Sequence, residues 1–252
     1  MFKRVILKIS GEGLAGGTDE HYDKNTIARI VAEVTTLVSW GTELALVVGG
    51  GNIWRGRDAS AEMDKVKAHQ IGMLATVMNA MALAEGFRIH TGGGETQKCV
   101  VMTPFEVGTF TERFTKEKAL ACMQAGLVPI FAGGTGHPFF STDSIVAIRA
   151  CELAVQAVLY GKSVDCVYEA DPRKHPAARR YKTVSYASVL AKQLDVADMS
   201  ATSLTAKEGI DAVVFALDKP GSIVAACRND ESLYTVFGGT RISHHVEDVF
   251  YE

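Results

Sequence analysis

The chain has little that would mark it as secreted, repetitive or built around a metal. Its five cysteines, Cys99, Cys122, Cys151, Cys166 and Cys227, are odd in number, and no two stand in CxxC spacing. That excludes a disulfide framework and a zinc ribbon and leaves buried free thiols in a reducing cytoplasm. No leader is expected, because Lys3, Arg4 and Lys8 bracket an apolar stretch far too short for one. Basic excess is also missing: 26 Lys and Arg face 29 Asp and Glu, a formal net charge of −3. No nucleic-acid partner is expected from such a balance. Residues 119–142 hold no Asp, Glu, Lys or Arg, but Pro129, Gly133, Gly134, Gly136 and Pro138 interrupt them. They read as a helix, a buried strand and a loop, so no membrane partner is expected either. Internal repeats, low-complexity tracts and linkers are absent. What is present is 252 residues, 47% hydrophobic and 22% charged. That is enough for a substantial core in one domain with two lobes.

Apolar strands and amphipathic helices alternate along the chain. Val5–Ile9, Leu44–Val48, Lys98–Met102, Leu127–Ala132, Val155–Tyr160 and Asp211–Leu217 read as strands. Ile27, Ile30, Val31, Val34, Leu37 and Val38 mark a helix, with Asn25 as its expected cap and Gly41 as its stop. Val66, Met73, Leu74, Val77, Met78 and Met81 mark a second, and the methionines clustered around it, Met63, Met73, Met78 and Met81, read as core in preference to a cofactor site. Further helices are expected at Thr115–Ala125, Ser144–Leu153, Ser188–Leu194, Asp198–Glu208 and Pro220–Cys227. Lys174–Lys182 is a polar, basic excursion with hairpin character. The strands are continuous apolar runs, which fits a largely parallel sheet covered on both faces.

Three strands end in glycine-rich turns: Ser10–Gly13, Gly49–Asn52 and Gly133–Gly136. Ligands of parallel sheets bind outside the carboxyl ends of the strands, and glycine lets backbone N–H groups close on an anion. Three such turns point to phosphate or nucleotide binding. Gly11-Glu12-Gly13-Leu14-Ala15-Gly16 satisfies GxGxxG, but Gly17-Thr18-Asp19-Glu20 prolongs the loop and the second strand ends in glycine, so a dinucleotide fold is rejected. Gly161-Lys162-Ser163 resembles the end of a P-loop, but Gln156 stands where its first glycine belongs.

Phosphoryl transfer without a P-loop still needs cations for the moving charge and carboxylates to organise Mg²⁺. Lys8, inside an apolar strand beside the first glycine turn, reads as a phosphate clamp in preference to an edge-strand solubility device. Arg55 either reaches the same anion or is a solvated loop arginine. Asp143 lies at a helix start, where capping and site chemistry are compatible. Asp171-Pro172 also fits a turn initiator, and Asp198 a helix cap.

Taken together, the chain resembles the bacterial uridylate (UMP) kinases of the amino acid kinase superfamily. The matching stretches are Lys3–Glu12, Val48–Gly56, Gly72–Ala80, Gly133–Asp143, Val164–Pro172 and Asp218–Gly221, with Gly239–Ile242 matching the terminal strand. The resemblance implies a three-layer α/β/α sandwich with a mainly parallel central sheet. It implies an acceptor lobe at about 1–150 and an ATP lobe at about 151–252 of one domain spanning 1–252. It implies transfer of the ATP γ-phosphate to UMP for pyrimidine nucleotide synthesis, with Mg²⁺, in a cytoplasmic homohexamer. The alternatives are a related kinase with a shifted acceptor, or a non-catalytic nucleotide- or oxyanion-binding homologue.

On the same resemblance, Lys8, Asp143 and Asp198 form the phosphoryl-transfer centre, with Asp143 as an indirect metal residue. Lys8, Ile9, Ser10, Gly11, Gly51, Arg55, Lys162, Tyr168 and Asp171 face ATP. Gly50, His69 and the loop Thr135, Gly136, His137, Pro138, Phe139, Phe140, Ser141 and Thr142 face UMP. The chain departs from the family where His69 replaces an aspartate, Tyr160 a lysine, Lys162 a threonine or asparagine, His137 an asparagine and Cys166 a glycine. Thr91–Gln97 is also unlike the family. Lys162 is read as the substitute for the lysine lost at position 160.

Overall fold

The computed structural model of the protein describes residues 1–17, 20–55, 60, 62–93 and 98–252. Thr18 and Asp19 of the prolonged loop, Gly56, and residues 94–97 of the divergent segment lie outside the described residues. The strands are β1 (Arg4–Ile9), β2 (Glu43–Val48), β3 (Cys99–Thr103), β4 (Glu112–Arg113), β5 (Val128–Phe131) and β6 (Ala157–Lys162). They continue with β7 (Val167–Tyr168), β8 (Arg180–Ser185), β9 (Asp211–Ala216), β10 (Thr240–Ser243) and β11 (Val249–Phe250). All join one sheet in the order β11-β8-β10-β9-β6-β1-β2-β5-β3-β4, with β7 paired to β8. Every pairing from β9 through β4 is parallel. Antiparallel pairs are confined to the other end, β10 on β9 and the β7 and β11 pairs with β8.

The helices are α1 (Gly11–Leu14), α2 (Lys24–Ser39), α3 (Lys65–His90), α4 (Lys116–Gln124), α5 (Thr142–Glu152), α6 (Tyr186–Lys192), α7 (Met199–Lys207) and α8 (Ser222–Arg228). Each central strand sends alternate side chains into two separate cores, as the period of two requires. Val5, Leu7 and Ile9 pack with residues of α2, α3 and α8. Ile6 packs with residues of α4, α5, α6 and α7. This is the expected three-layer sandwich. It also explains why the strands are apolar without a break, since both faces are covered. No helix among the described residues is long and apolar enough to cross a membrane.

Several local expectations change. Asp23, not Asn25, caps α2, because its carboxylate reaches the Thr26 N–H at 2.8 Å while Asn25 already lies within the helix. The first glycine turn is the single helical turn α1, closed by the Ser10 hydroxyl accepting from Gly13 N–H. It ends at Leu14, too short for a dinucleotide-binding helix. β1 lies between β6 and β2, so Lys8 is not on an edge strand. The α3 stripe is divided: Val77 is core, but Leu74, Met78 and Met81 are exposed, and the inward face is completed by Ala75, Ala80, Leu83 and Phe87. Glu33 of α2 accepts the Gly221 and Ile223 N–H groups at 2.9 and 3.0 Å, placing a carboxylate at the start of α8.

Candidate active site

β1, β2 and β5 are neighbours in the sheet, so their three glycine turns gather at one edge. The turns also pack on each other. A Cβ at Gly11 would stand 2.4 Å from Asn52 Oδ1 and 2.6 Å from Gly51 N; one at Gly50 would stand 2.9 Å from the Ala75 Cβ of α3. Here glycine serves close backbone approach. Asn79 fixes the second turn to α3: its Nδ2 donates to Gly49 O at 2.6 Å and to Asn52 Oδ1 at 2.7 Å, and it is fully buried. Thr76 fixes the third, its hydroxyl accepting the Gly133 N–H at 2.7 Å.

Beside these turns opens a cleft of about 780 Å³. It brings together Gly50, Gly51, Arg55, His69, His137, Phe140, Ser141 and Thr142 from the expected set. Arg55, expected near ATP, thus shares its cleft with the expected UMP residues. Its Nε donates to Gly51 O at 2.9 Å, and its Nη2 lies 2.9 Å from Glu12 Oε1. The His69 ring lies 4.9 Å from that of Phe139. Phe139 has φ 71°, a left-handed conformation costly for a bulky side chain and tolerated where surrounding structure enforces it. Gly136 turns at φ 81°, and the Thr135 hydroxyl accepts the His137 N–H at 3.1 Å. Pro138 leads into Phe139, and Ser141 caps α5.

A charged cluster is built on β1, β6 and the start of α5. Lys8 points from β1 towards the α5 layer, and its Nζ is 3.2 Å from Asp143 Oδ1. The two side chains are only 13% and 20% exposed. Asp143 stands inside the first turn of α5, one residue past Thr142, and Ser141 is the cap in its place. Its Oδ1 is buried and accepts no hydrogen bond among the described residues. Tyr160 and Lys162 follow on the same face of β6. Burial pushes the Tyr160 phenol well up, and the Asp143 and Asp198 charges add to the push. Burial lowers the Lys162 ammonium, against the opposing pull of Asp195 and Asp143, and Lys8 lowers it further. Its Nζ is 3.3 Å from Asp195 O. Asp198 caps α7 and also reaches α5.

Ile9 contributes backbone alone, its side chain buried in the core and its carbonyl accepting Gly49 N–H at 2.9 Å. Tyr168 and Asp171 stand apart from the cleft lining. The Tyr168 hydroxyl donates to Asp165 Oδ1 at 2.9 Å. Asp171 is a turn residue that holds the Arg173 guanidinium at 3.0 and 3.1 Å. Glu12, Trp54 and Thr76 line the cleft without having been singled out from sequence. Glu12 lies inside the first glycine motif, which was the available signal. Trp54 and Thr76 lie in the resembling stretches but have no chemistry that would distinguish them there. Among the described residues no group of three or more His, Cys, Asp or Glu is placed to hold a metal.

Residues 3–217 match the amino acid kinase family. UMP kinase from Bacillus anthracis is similar over 100% of this chain and 99% of that one, at 31% identity and a TM-score of 0.89. UMP kinase from Ureaplasma parvum is similar over 96% and 99%, at 30% identity and a TM-score of 0.86. Uridylate kinase from Archaeoglobus fulgidus, at 20% identity and a TM-score of 0.70, shares the fold over 95% and 99%. With its sheet order, its strand-end cleft and these matches along the whole length, the chain belongs to the amino acid kinase family, on the branch of the UMP kinases.

Proposed function

We propose that this protein transfers the γ-phosphoryl group of ATP to UMP, giving UDP and ADP. The observation that carries the reading is the half-buried Lys8–Asp143 pair at the carboxyl end of a central parallel strand, beside a cleft of nucleotide size. The acceptor oxygen of UMP is already ionised near neutral pH, so no general base is needed. Catalysis then consists of alignment and charge neutralisation. Lys8 and Lys162 supply positive charge on one face of the sheet, and the N–H groups of Gly11 and Gly51 supply donors at the packed turns. Asp143 holds Lys8 in place. The loop from Thr135 to Thr142, with Gly50 and His69, forms the wall against which UMP is positioned. Ser10, Arg55, Tyr168 and Asp171 complete the proposed ATP contacts.

The residues present fit a Mg²⁺ that arrives on the ATP phosphates. Asp143 Oδ1, the partner of Lys8, accepts no hydrogen bond among the described residues, and among those residues no group of three or more His, Cys, Asp or Glu competes for the ion. Bound there, Mg²⁺ supplies further neutralisation of the phosphate oxygens.

We read residues 1–252 as one domain, with an acceptor lobe at 1–150 and an ATP lobe at 151–252; the unbroken sheet supports this. The exposed Leu74, Met78 and Met81 of α3 support burial of that helix face in a homohexamer. A cytoplasmic place in pyrimidine nucleotide synthesis accords with the five free thiols. The test is ADP release from Mg-ATP with UMP, CMP and small carboxylate acceptors. UMP is expected to be the preferred acceptor, and no turnover with any nucleoside monophosphate would overturn the proposal.

A further inference from the structure

Asp198 differs from Asp143 in how its oxygens are used. A carboxylate offers about four lone-pair positions, two on each oxygen. Asp198 Oδ1 accepts from Ser200 Oγ at 2.6 Å and from Ala201 N–H at 2.7 Å, both in the first turn of its own helix. Asp198 Oδ2 accepts from Ser144 Oγ at 3.0 Å and from Ser141 Oγ, both at the start of α5. All four positions are taken. Asp143 Oδ1, by contrast, faces the Lys8 ammonium and accepts no hydrogen bond among the described residues.

We infer that Asp198 is a positioning residue that caps α7 and anchors the Ser141 cap of α5, holding the end of the acceptor loop and the first turn of α5 against α7, and that it ligates neither metal nor phosphate. Ser141 is the link. It donates to Asp198, accepts the Ser144 N–H at 3.1 Å as the cap of α5, and lines the cleft. Thr142 follows it in the cleft wall, and Asp143 follows Thr142. One carboxylate therefore sets the start of the helix that aims Asp143 at Lys8. Burial alone would raise the Asp198 carboxyl, but the donors from Ser141, Ser200, Ala201 and Ser144 outweigh burial and hold it below its ordinary value. It is thus ionised at neutral pH, as an acceptor of four donors requires.

The inference rests on the proposed UMP kinase reaction, and the experiment separates the two. Asp198→Asn, Ser141→Ala/Ser144→Ala and the triple variant are assayed for ADP release over UMP and Mg²⁺ concentration. Asparagine has one acceptor oxygen and cannot serve four donors. Asp198→Asn is expected to lower kcat/KM for UMP by about 10- to 100-fold through misplacement of reacting groups. The Mg²⁺ concentration giving half-maximal rate should be unchanged. The serine pair should reproduce the loss, and the triple variant should be no worse than Asp198→Asn, because all act through one network. A rise in the Mg²⁺ requirement on Asp198→Asn, with the serine pair behaving as the parent, would overturn the inference. The serine pair keeps the question open to a decision should Asp198→Asn fail to fold. If the parent itself turns over no nucleotide, the reaction reading fails. The inference is then decided by amide exchange at 141–144, which should rise in both variants and which an unchanged exchange would refute.

Discussion

Removing Lys8 should destabilise the protein and abolish most of its activity, and adding a second change should restore only the stability. At 3.2 Å from Asp143 Oδ1, with an effective dielectric constant of about 20, the attraction is about 5 kcal/mol. Desolvating the ammonium on folding offsets part of this. Breaking a buried pair costs about 3–5 kcal/mol because the remaining charge is left uncompensated. Neither partner is fully buried, so Lys8→Met belongs at the low end, about 3 kcal/mol. At this chain length about 1 kcal/mol shifts Tm by about 2–4 °C, which predicts a fall of about 6–12 °C. Lys8→Met/Asp143→Asn should recover most of that fall, since no buried carboxylate then lacks its counter-charge. Turnover should drop by about 10²–10³-fold in both, because neither restores a cation at the transferring phosphoryl group. Circular-dichroism melting and ADP release measure the two effects on the same samples. A Lys8→Met variant that melts with the parent would refute the electrostatic reasoning. So would a double variant less stable than the single one.

Asn79→Ala should cost about 2–3 kcal/mol, since Gly49 O and Asn52 Oδ1 both lose a buried donor; urea unfolding measures it, and a cost under about 0.5 kcal/mol would contradict the network. Gly11→Ala should force the first and second glycine turns apart, because its Cβ would meet Gly51 N at 2.6 Å; the KM for ATP should rise and Tm should fall, and unchanged nucleotide affinity would show that the turns do not grip the phosphates. Burial raises the Tyr160 phenol in the folded state well above its ordinary value. Its contribution is therefore fully present below about pH 10 and lost as pH rises towards the folded value. Tyr160→Phe should accordingly flatten the alkaline loss of stability in pH-dependent unfolding, whereas equal slopes would assign that loss elsewhere. Burial pushes the Cys99 and Cys166 thiols to about 12 and Cys227 to about 11. A thiol reagent at pH 8 should modify the half-buried Cys122 and Cys151 first; early labelling of Cys99 or Cys166 would argue against their burial.

Local pattern was sufficient wherever a residue's role is set by its near neighbours in sequence. The apolar runs at 5–9 and 44–48 found β1 and β2, and the positions 27, 30, 31, 34 and 37 found the buried face of α2. The two-residue strands β4, β7 and β11 and the π-helical turn Leu233–Phe237 are too short to carry a period. The α3 stripe shows a further limit. Periodicity reveals which residues share a face but not whether that face turns inward, and here Val77, Leu83, Phe87 and the alanines took the core while Met78 and Met81 stayed outside.

The sequence by itself determined the layered α/β class, the three glycine turns and the resemblance that named their chemistry, because each depends on short-range spacing and residue type. Only the tertiary structure decided what those residues meet. Strand order placed β1 in the middle of the sheet and made Lys8 a half-buried partner of Asp143, 135 positions along the chain. Packing set Arg55 against Glu12 in the cleft wall and separated Tyr168 and Asp171 from it. The meeting of α7 with α5 gave Asp198 the Ser141 and Ser144 hydroxyls beside the two donors of its own helix, while Asp143 Oδ1 accepts no hydrogen bond among the described residues. Two aspartates alike in sequence thus differ in the lone pairs left open, and it is the long-range contacts with α5 that fill the second oxygen of Asp198.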